Sequence, residues 1–135
     1  METNKTGGCL CGKLRYTLKK EPVQTMVCHC KNCQKTSGSA FSTIALVNRV
    51  DIEVTGQPRR YSYNGDSGKE LTVNFCGTCG SPVLLDIAAM PSLISVKVGS
   101  FDDATWFKPQ VAIWHKSAQT WVPDIADCLA VPEGG

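Results

Sequence analysis

Cys28-His29-Cys30-Lys31-Asn32-Cys33 decides how this chain of 135 residues is read, because the same chemistry recurs on either side of it. Upstream stands Gly8-Cys9-Leu10-Cys11-Gly12, and downstream Phe75-Cys76-Gly77-Thr78-Cys79-Gly80. In extended backbone, residues i and i+2 point to the same side. Each Cys-x-Cys can therefore turn two sulfurs towards one ion, with Leu10 and His29 facing away. Cys76 and Cys79 have the spacing of a zinc knuckle. Gly77 and Gly80 let that backbone turn tightly and bring its N–H groups to the sulfurs. Cys30 and Cys33 share the spacing but open a stretch of helical character.

Clustered thiols with no export signal read as metal ligands. A disulfide framework is disfavoured by a reducing compartment and by the short Cys-x-Cys loops. Zinc is the natural ion, since it suits thiolates and takes four tetrahedral ligands. Seven clustered cysteines divide into four and three. Cys9 and Cys11 with Cys76 and Cys79 make a closed structural site. Cys28, Cys30 and Cys33 make a tripod with an open fourth position, as expected of a reactive zinc. Two zinc ions on seven thiolates take the formal charge from +2 to about −1. Cys128 belongs to no cluster and reads as a free cysteine. Were it to fold back onto the tripod, the second site would close and the chain would be a two-zinc binding module. A third reading is a zinc-thiolate redox protein, whose exposed thiolates oxidise and release metal.

Around these clusters the periodicity is that of strands. Residues 13–18, 41–47, 51–54, 59–63, 71–75, 83–87, 93–98 and 111–114 are short runs bounded by Gly, Pro, Asn and Asp. A helix is expected over 31–37, ended by Gly38, and one further turn over 102–106 with an aspartate cap. The class is a mainly β domain with one or two short helices. One domain spans 1–135, with its core at about 8–122 and a tail at 123–135.

Composition excludes other classes. Apolar residues make 42% and charged residues 19%, which is ordinary globular usage. A net charge of +2 gives no nucleic-acid footprint. No apolar run exceeds four residues, far short of the roughly 20 of a membrane helix. The expectation is a cytoplasmic chain with neither nucleic acid nor membrane as partner.

The clusters, in this order, resemble the family of glutathione-dependent formaldehyde-activating enzymes and centromere protein V. The likeness runs from about Gly8 to Val122. It includes Gln34-Lys35-Thr36-Ser37-Gly38 after the tripod, Val98-Gly99-Ser100-Phe101-Asp102, and a C-terminal stretch with Pro109, Ile113, Trp114, Lys116 and Trp121. The resemblance implies a β-rich zinc fold of the β-tent kind. It implies a structural zinc on Cys9, Cys11, Cys76 and Cys79, and a catalytic zinc on Cys28, Cys30 and Cys33. It also implies a carbon–sulfur lyase that joins glutathione and formaldehyde into S-hydroxymethylglutathione, or cleaves that adduct. Lys35, Ser37 and Lys116 are candidate contacts for the carboxylates of a glutathione-like ligand, and Trp114 for a pocket wall. His29 and His115 are candidate bases by their near-neutral pKa, although alternation turns His29 away from the metal.

Overall fold

Short β-branched runs broken by turn residues fold here as strands. The computed structural model describes residues 4–134, with eleven strands and one α-helix among them. Three strands form a small antiparallel sheet, β1 (Thr6–Gly8), β2 (Arg15–Leu18) and β5 (Ile52–Thr55), in the order β1-β2-β5. The remaining eight are β3 (Gln24–Cys28), β4 (Ser42–Asn48), β6 (Arg59–Asn64), β7 (Glu70–Phe75), β8 (Pro82–Ile87), β9 (Leu93–Lys97), β10 (Val111–Ile113) and β11 (Leu129–Ala130). They lie in the order β11-β10-β3-β4-β9-β8-β7-β6. Pairing is antiparallel except at β10, which runs parallel to both β3 and β11.

Inside the large sheet, β4 is buried on both faces. Ala45, Val47, Leu84, Ile94 and Val96 pack towards Tyr16 and Leu18 of the small sheet and Leu14 just before it. Ile44 and Leu46 face the opposite way, towards Cys28, Cys30 and Cys33. That is why residues 44–47 read as a continuous apolar run rather than an alternating one. Tyr16 anchors the first core, with its hydroxyl 2.7 Å from Ser100 Oγ and its ring edge-on to Phe101. Gly7 is required beside it, since a Cβ there would lie 2.3 Å from the Tyr16 oxygen.

The helix α1 (Lys31–Ser37) forms as expected. Gly38 ends it in the left-handed conformation, with φ of 61°, which costs glycine nothing. Two local expectations are corrected. Residues 102–106 make a turn rather than a helical turn. Asp103 Oδ1 accepts from the Thr105 N–H and hydroxyl, and the Trp106 indole N–H occupies the Asp103 carbonyl that a helix would need. Cys9-Leu10-Cys11 is not extended but turned, with the Gly12 N–H donating to the Cys9 carbonyl and Gly12 at φ of 85°. The strands β1, β3 and β11 lie outside the expected runs.

Candidate functional site

Four cysteines from distant parts of the chain meet between the sheets. The turn after β1 supplies Cys9 and Cys11, and the connection from β7 to β8 supplies Cys76 and Cys79. Their sulfurs all lie within 4.8 Å of one another. Cys9 and Cys11 are 3.7 Å apart, and Cys11 and Cys76 3.6 Å. Four thiolates on one zinc at about 2.3 Å stand about 3.8 Å from each other, so the set fits that ion. Backbone supports it. The Leu14 N–H donates to Cys9 Sγ and the Thr78 N–H to Cys76 Sγ, contacts that fix the ligand sulfurs in place. The Ser81 hydroxyl beside Cys79 holds that thiol down to about 5. A register shift at Asn74 and Phe75 bends β7 where it delivers Cys76.

Cys28, Cys30 and Cys33 form the second group, all three buried and within the same 4.8 Å. Cys28 ends β3, Cys30 caps α1 and Cys33 lies in its first turn. The cap is a thiol, as Cys30 Sγ accepts from the Cys33 N–H at 3.3 Å. The Cys28 and Cys33 thiols, with the Cys33 and Asn32 N–H groups, hold Cys30 down to about 2. Cys28 is pushed up by its bonds to Cys30 and Cys33 and by burial. One sulfur of the trio thus ionises ahead of its neighbours.

A cavity of about 200 Å³ opens beside this trio. Its wall includes Met26, Ile44, Leu46, Leu85, Ile87 and Trp114. Trp114 holds its place through a left-handed backbone, with φ of 54°. Lys116 stacks its ammonium 5.3 Å above the Trp114 ring and pairs with Glu133. Lys35 lies elsewhere, in a surface hollow with Gln119 and Trp121. Ser37 turns inward and donates to the Cys33 carbonyl at 2.6 Å. Of these four residues, the cavity brings only Trp114 to the trio.

His29 points to the other side of β3. Its ring packs against Phe41 and His115, and burial pushes its pKa down. It lines a separate cavity of about 80 Å³ with His115, Asp124 and Cys128. His115 Nε2 lies 3.0 Å from Asp124. Cys128 therefore stands apart from the trio.

Two residues on β9 went unnoticed in the sequence. Lys97 is buried, donates to Ser42 Oγ at 2.8 Å, and has no acidic partner among the described residues. Burial pushes its pKa down, while the Cys33, Cys28 and Cys30 sulfurs act the other way. Ser95 is buried in the cavity wall. The signal was available, since Ile94-Ser95-Val96-Lys97-Val98 alternates and so puts both polar side chains on one face.

Comparison with known proteins agrees with this architecture. The family model described as "Glutathione-dependent formaldehyde-activating enzyme" matches residues 4–117. A Colletotrichum graminicola protein provisionally named as such an enzyme is 28% identical over 118 residues, covering 78% of this chain and 61% of that protein. An Aspergillus terreus protein with the same provisional name is 29% identical over 119 residues, covering 82% and 62%. The chain thus spans about three fifths of the length of these curated relatives. A Rhodobacter sphaeroides protein of known crystal structure superimposes with a TM-score of 0.56 at 20% identity, covering 77% of this chain and 91% of that one. At that identity the likeness concerns the fold alone.

Proposed function

Since the chain belongs to the glutathione-dependent formaldehyde-activating enzyme family, we propose that it is a zinc-dependent carbon–sulfur lyase acting on thiol–aldehyde adducts. The observation that carries this reading is the trio Cys28, Cys30 and Cys33 beside a cavity, with Cys128 on the far side of β3. Cys9, Cys11, Cys76 and Cys79 would hold a structural zinc that ties the small sheet to the β7–β8 connection. Cys28, Cys30 and Cys33 would hold the reactive one. Zinc held there supplies a Lewis acid that keeps an incoming thiol ionised near neutral pH.

The protein's own residues do the rest. Cys28 and Cys30 are set by the end of β3 and the start of α1, and Ser37 fixes the Cys33 turn from below. The apolar wall holds the aldehyde against the thiol and keeps bulk water away, which raises effective concentration. Lys97 supplies positive charge beside a ligand set that carries net negative charge. In the forward direction the carbon–sulfur bond forms as the carbonyl π pair moves to oxygen. That oxygen takes the proton the thiol gave up, so atoms and charge balance. Reversal breaks the same bond and returns thiol and aldehyde. Glutathione and formaldehyde are the pair implied by the family name. The free thiolates this chemistry needs suit a reducing compartment such as the cytoplasm.

The test combines metal content with rate. Elemental analysis should find two zinc ions per chain, falling to one in Cys30→Ser. Thiol–aldehyde condensation above the uncatalysed background should disappear in that variant. A Cys30→Ser protein with the parent's rate would overturn the mechanism.

A further inference from the structure

We propose that the cavity beside Cys28, Cys30 and Cys33 selects an uncharged aldehyde with an aromatic or branched apolar body, in preference to formaldehyde. The inference rests on the reading of that trio as a thiol–aldehyde centre.

Size is the first argument. An apolar protein cavity of about 150 Å³ binds benzene. The cavity here is about 200 Å³, enough for a ring carrying a carbonyl group. Formaldehyde would leave most of that space to water against Leu46, Leu85 and Ile87. Pockets discriminate by filled apolar volume, at roughly tenfold or more for each well-packed methylene.

Charge is the second. Asp66 is the one carboxylate in the wall, and no lysine, arginine or histidine lines it among the described residues. A carboxylate inside would meet an acidic neighbour and no basic side chain. The γ-glutamyl and glycyl ends of a glutathione-sized thiol must then stay outside, and the aldehyde takes the interior.

Ser95 is the third. It is 1% exposed, and its hydroxyl has no hydrogen-bond partner. It stands opposite Leu46 on one side and Leu85 on the other, so it is a single polar point in an apolar row. A buried hydroxyl without a partner is costly. A ligand carrying one oxygen or hydroxyl on an apolar body would satisfy it.

The test uses the zinc-loaded protein, with a small thiol in excess to fill the fourth ligand position, and two probes of one shape. Benzyl alcohol is uncharged and does not react with thiols, and benzoate carries the charge the cavity excludes. Saturation-transfer NMR should show saturable binding of benzyl alcohol, with benzoate at least roughly tenfold weaker. Ser95→Leu, which fills the cavity, should abolish the binding. Met90→Arg, at an exposed position on the rim, should weaken benzyl alcohol and narrow its advantage over benzoate. This variant alters a turn and spares the core. With one small thiol, the rate above background should favour benzaldehyde over formaldehyde. Absence of saturable benzyl alcohol binding, or binding unchanged in both variants, would overturn the proposal. Turnover of formaldehyde with no benzyl alcohol binding would reject this selectivity and leave the thiol–aldehyde reading standing. Selective binding with no turnover of either aldehyde would uphold the cavity's ligand class and remove the chemistry.

Discussion

Lys97 donates its ammonium to the Ser42 hydroxyl at 2.8 Å, and Ser42 is the direct strand neighbour of Cys28. A buried cation thus sits one residue pair away from the sulfur trio with a neutral partner. Left alone, a buried charge is costly, and an apolar replacement of similar length is often neutral or stabilising. Three thiolates with one zinc carry a net charge of about −1, and a cation several ångströms away offsets it by about 1–3 kcal/mol at an effective dielectric near 20. Lys97→Met should therefore change the stability of the metal-free protein little, since the cost of burying the cation and its attraction to the trio sulfurs oppose each other. It should weaken zinc at the trio by about 10- to 100-fold. Competition titration with a chromophoric chelator, alongside urea melts, reads both effects.

The two cysteine groups differ in what they join. Cys9 and Cys11 belong to the β1–β2 connection, and Cys76 and Cys79 to the β7–β8 connection, so a metal there would hold two sheets together. Structural zinc can supply about 10 kcal/mol or more of folding free energy. Cys76→Ser should lose one zinc and drop the melting temperature by more than ~10 °C. Cys30→Ser also loses one zinc, but its partners lie within one local segment, so the melting temperature should move much less. Calorimetry with elemental analysis on both variants separates the two roles.

The sequence carried the pattern of strands and the division of the cysteines well, for physical reasons. Residues 59–64 and 70–75 alternate and are joined by a glycine-containing turn, so period and turn chemistry agree. Gln24–Cys28 was illegible because its strand is defined by neighbours on both sides, β4 and β10, and not by its own alternation. Gly7 and Gly8 in β1 have poor strand propensity, and tertiary contact with Tyr16 overrides it. The cavity was beyond reach for a related reason. Its wall draws on β3, β4, β8, β9 and the segment after β10, and only the sheet order brings these together. Lys35 and Lys116 looked suitable by charge alone, but helix phase and the Glu133 pair set where their ammonium groups go.

Asp102 supplies a pH test outside the metal sites. Its carboxylate accepts from Arg15 at 2.9 Å and from the Thr6 hydroxyl at 2.6 Å. The Arg15 bonds, with that of Thr6, hold its pKa down to about 2. The ordinary value is about 3.9. A carboxyl depressed in the folded state adds stability above the unfolded value, and the addition is lost as pH falls through the folded one. Asp102→Asn should therefore melt earlier than the parent at pH 7. The gap should close between about pH 4 and pH 2. Urea midpoints of both proteins across that range, read as a difference, cancel the acid-induced loss of metal that both share. A gap of constant size would assign the effect to shape rather than charge.

Cys128→Ser decides whether the second site is open. Cys28 and Cys30 face one side of β3, while His29 between them faces the other, as alternation requires. Cys128 lines the cavity on the His29 side, next to His115, and burial pushes its thiol up. The following residues are fixed there. Leu129 pairs with Val111 of β10, and β10 pairs in turn with β3. For Cys128 to reach the trio, the tail would have to leave β10 and cross the sheet edge, breaking those backbone bonds. Cys128→Ser should therefore keep two zinc ions per chain and lose one titratable thiol, whereas Cys28→Ser should lose one zinc. A fall to one zinc in Cys128→Ser would make it the fourth ligand, close the site, and turn the protein into a two-zinc binding module without chemistry.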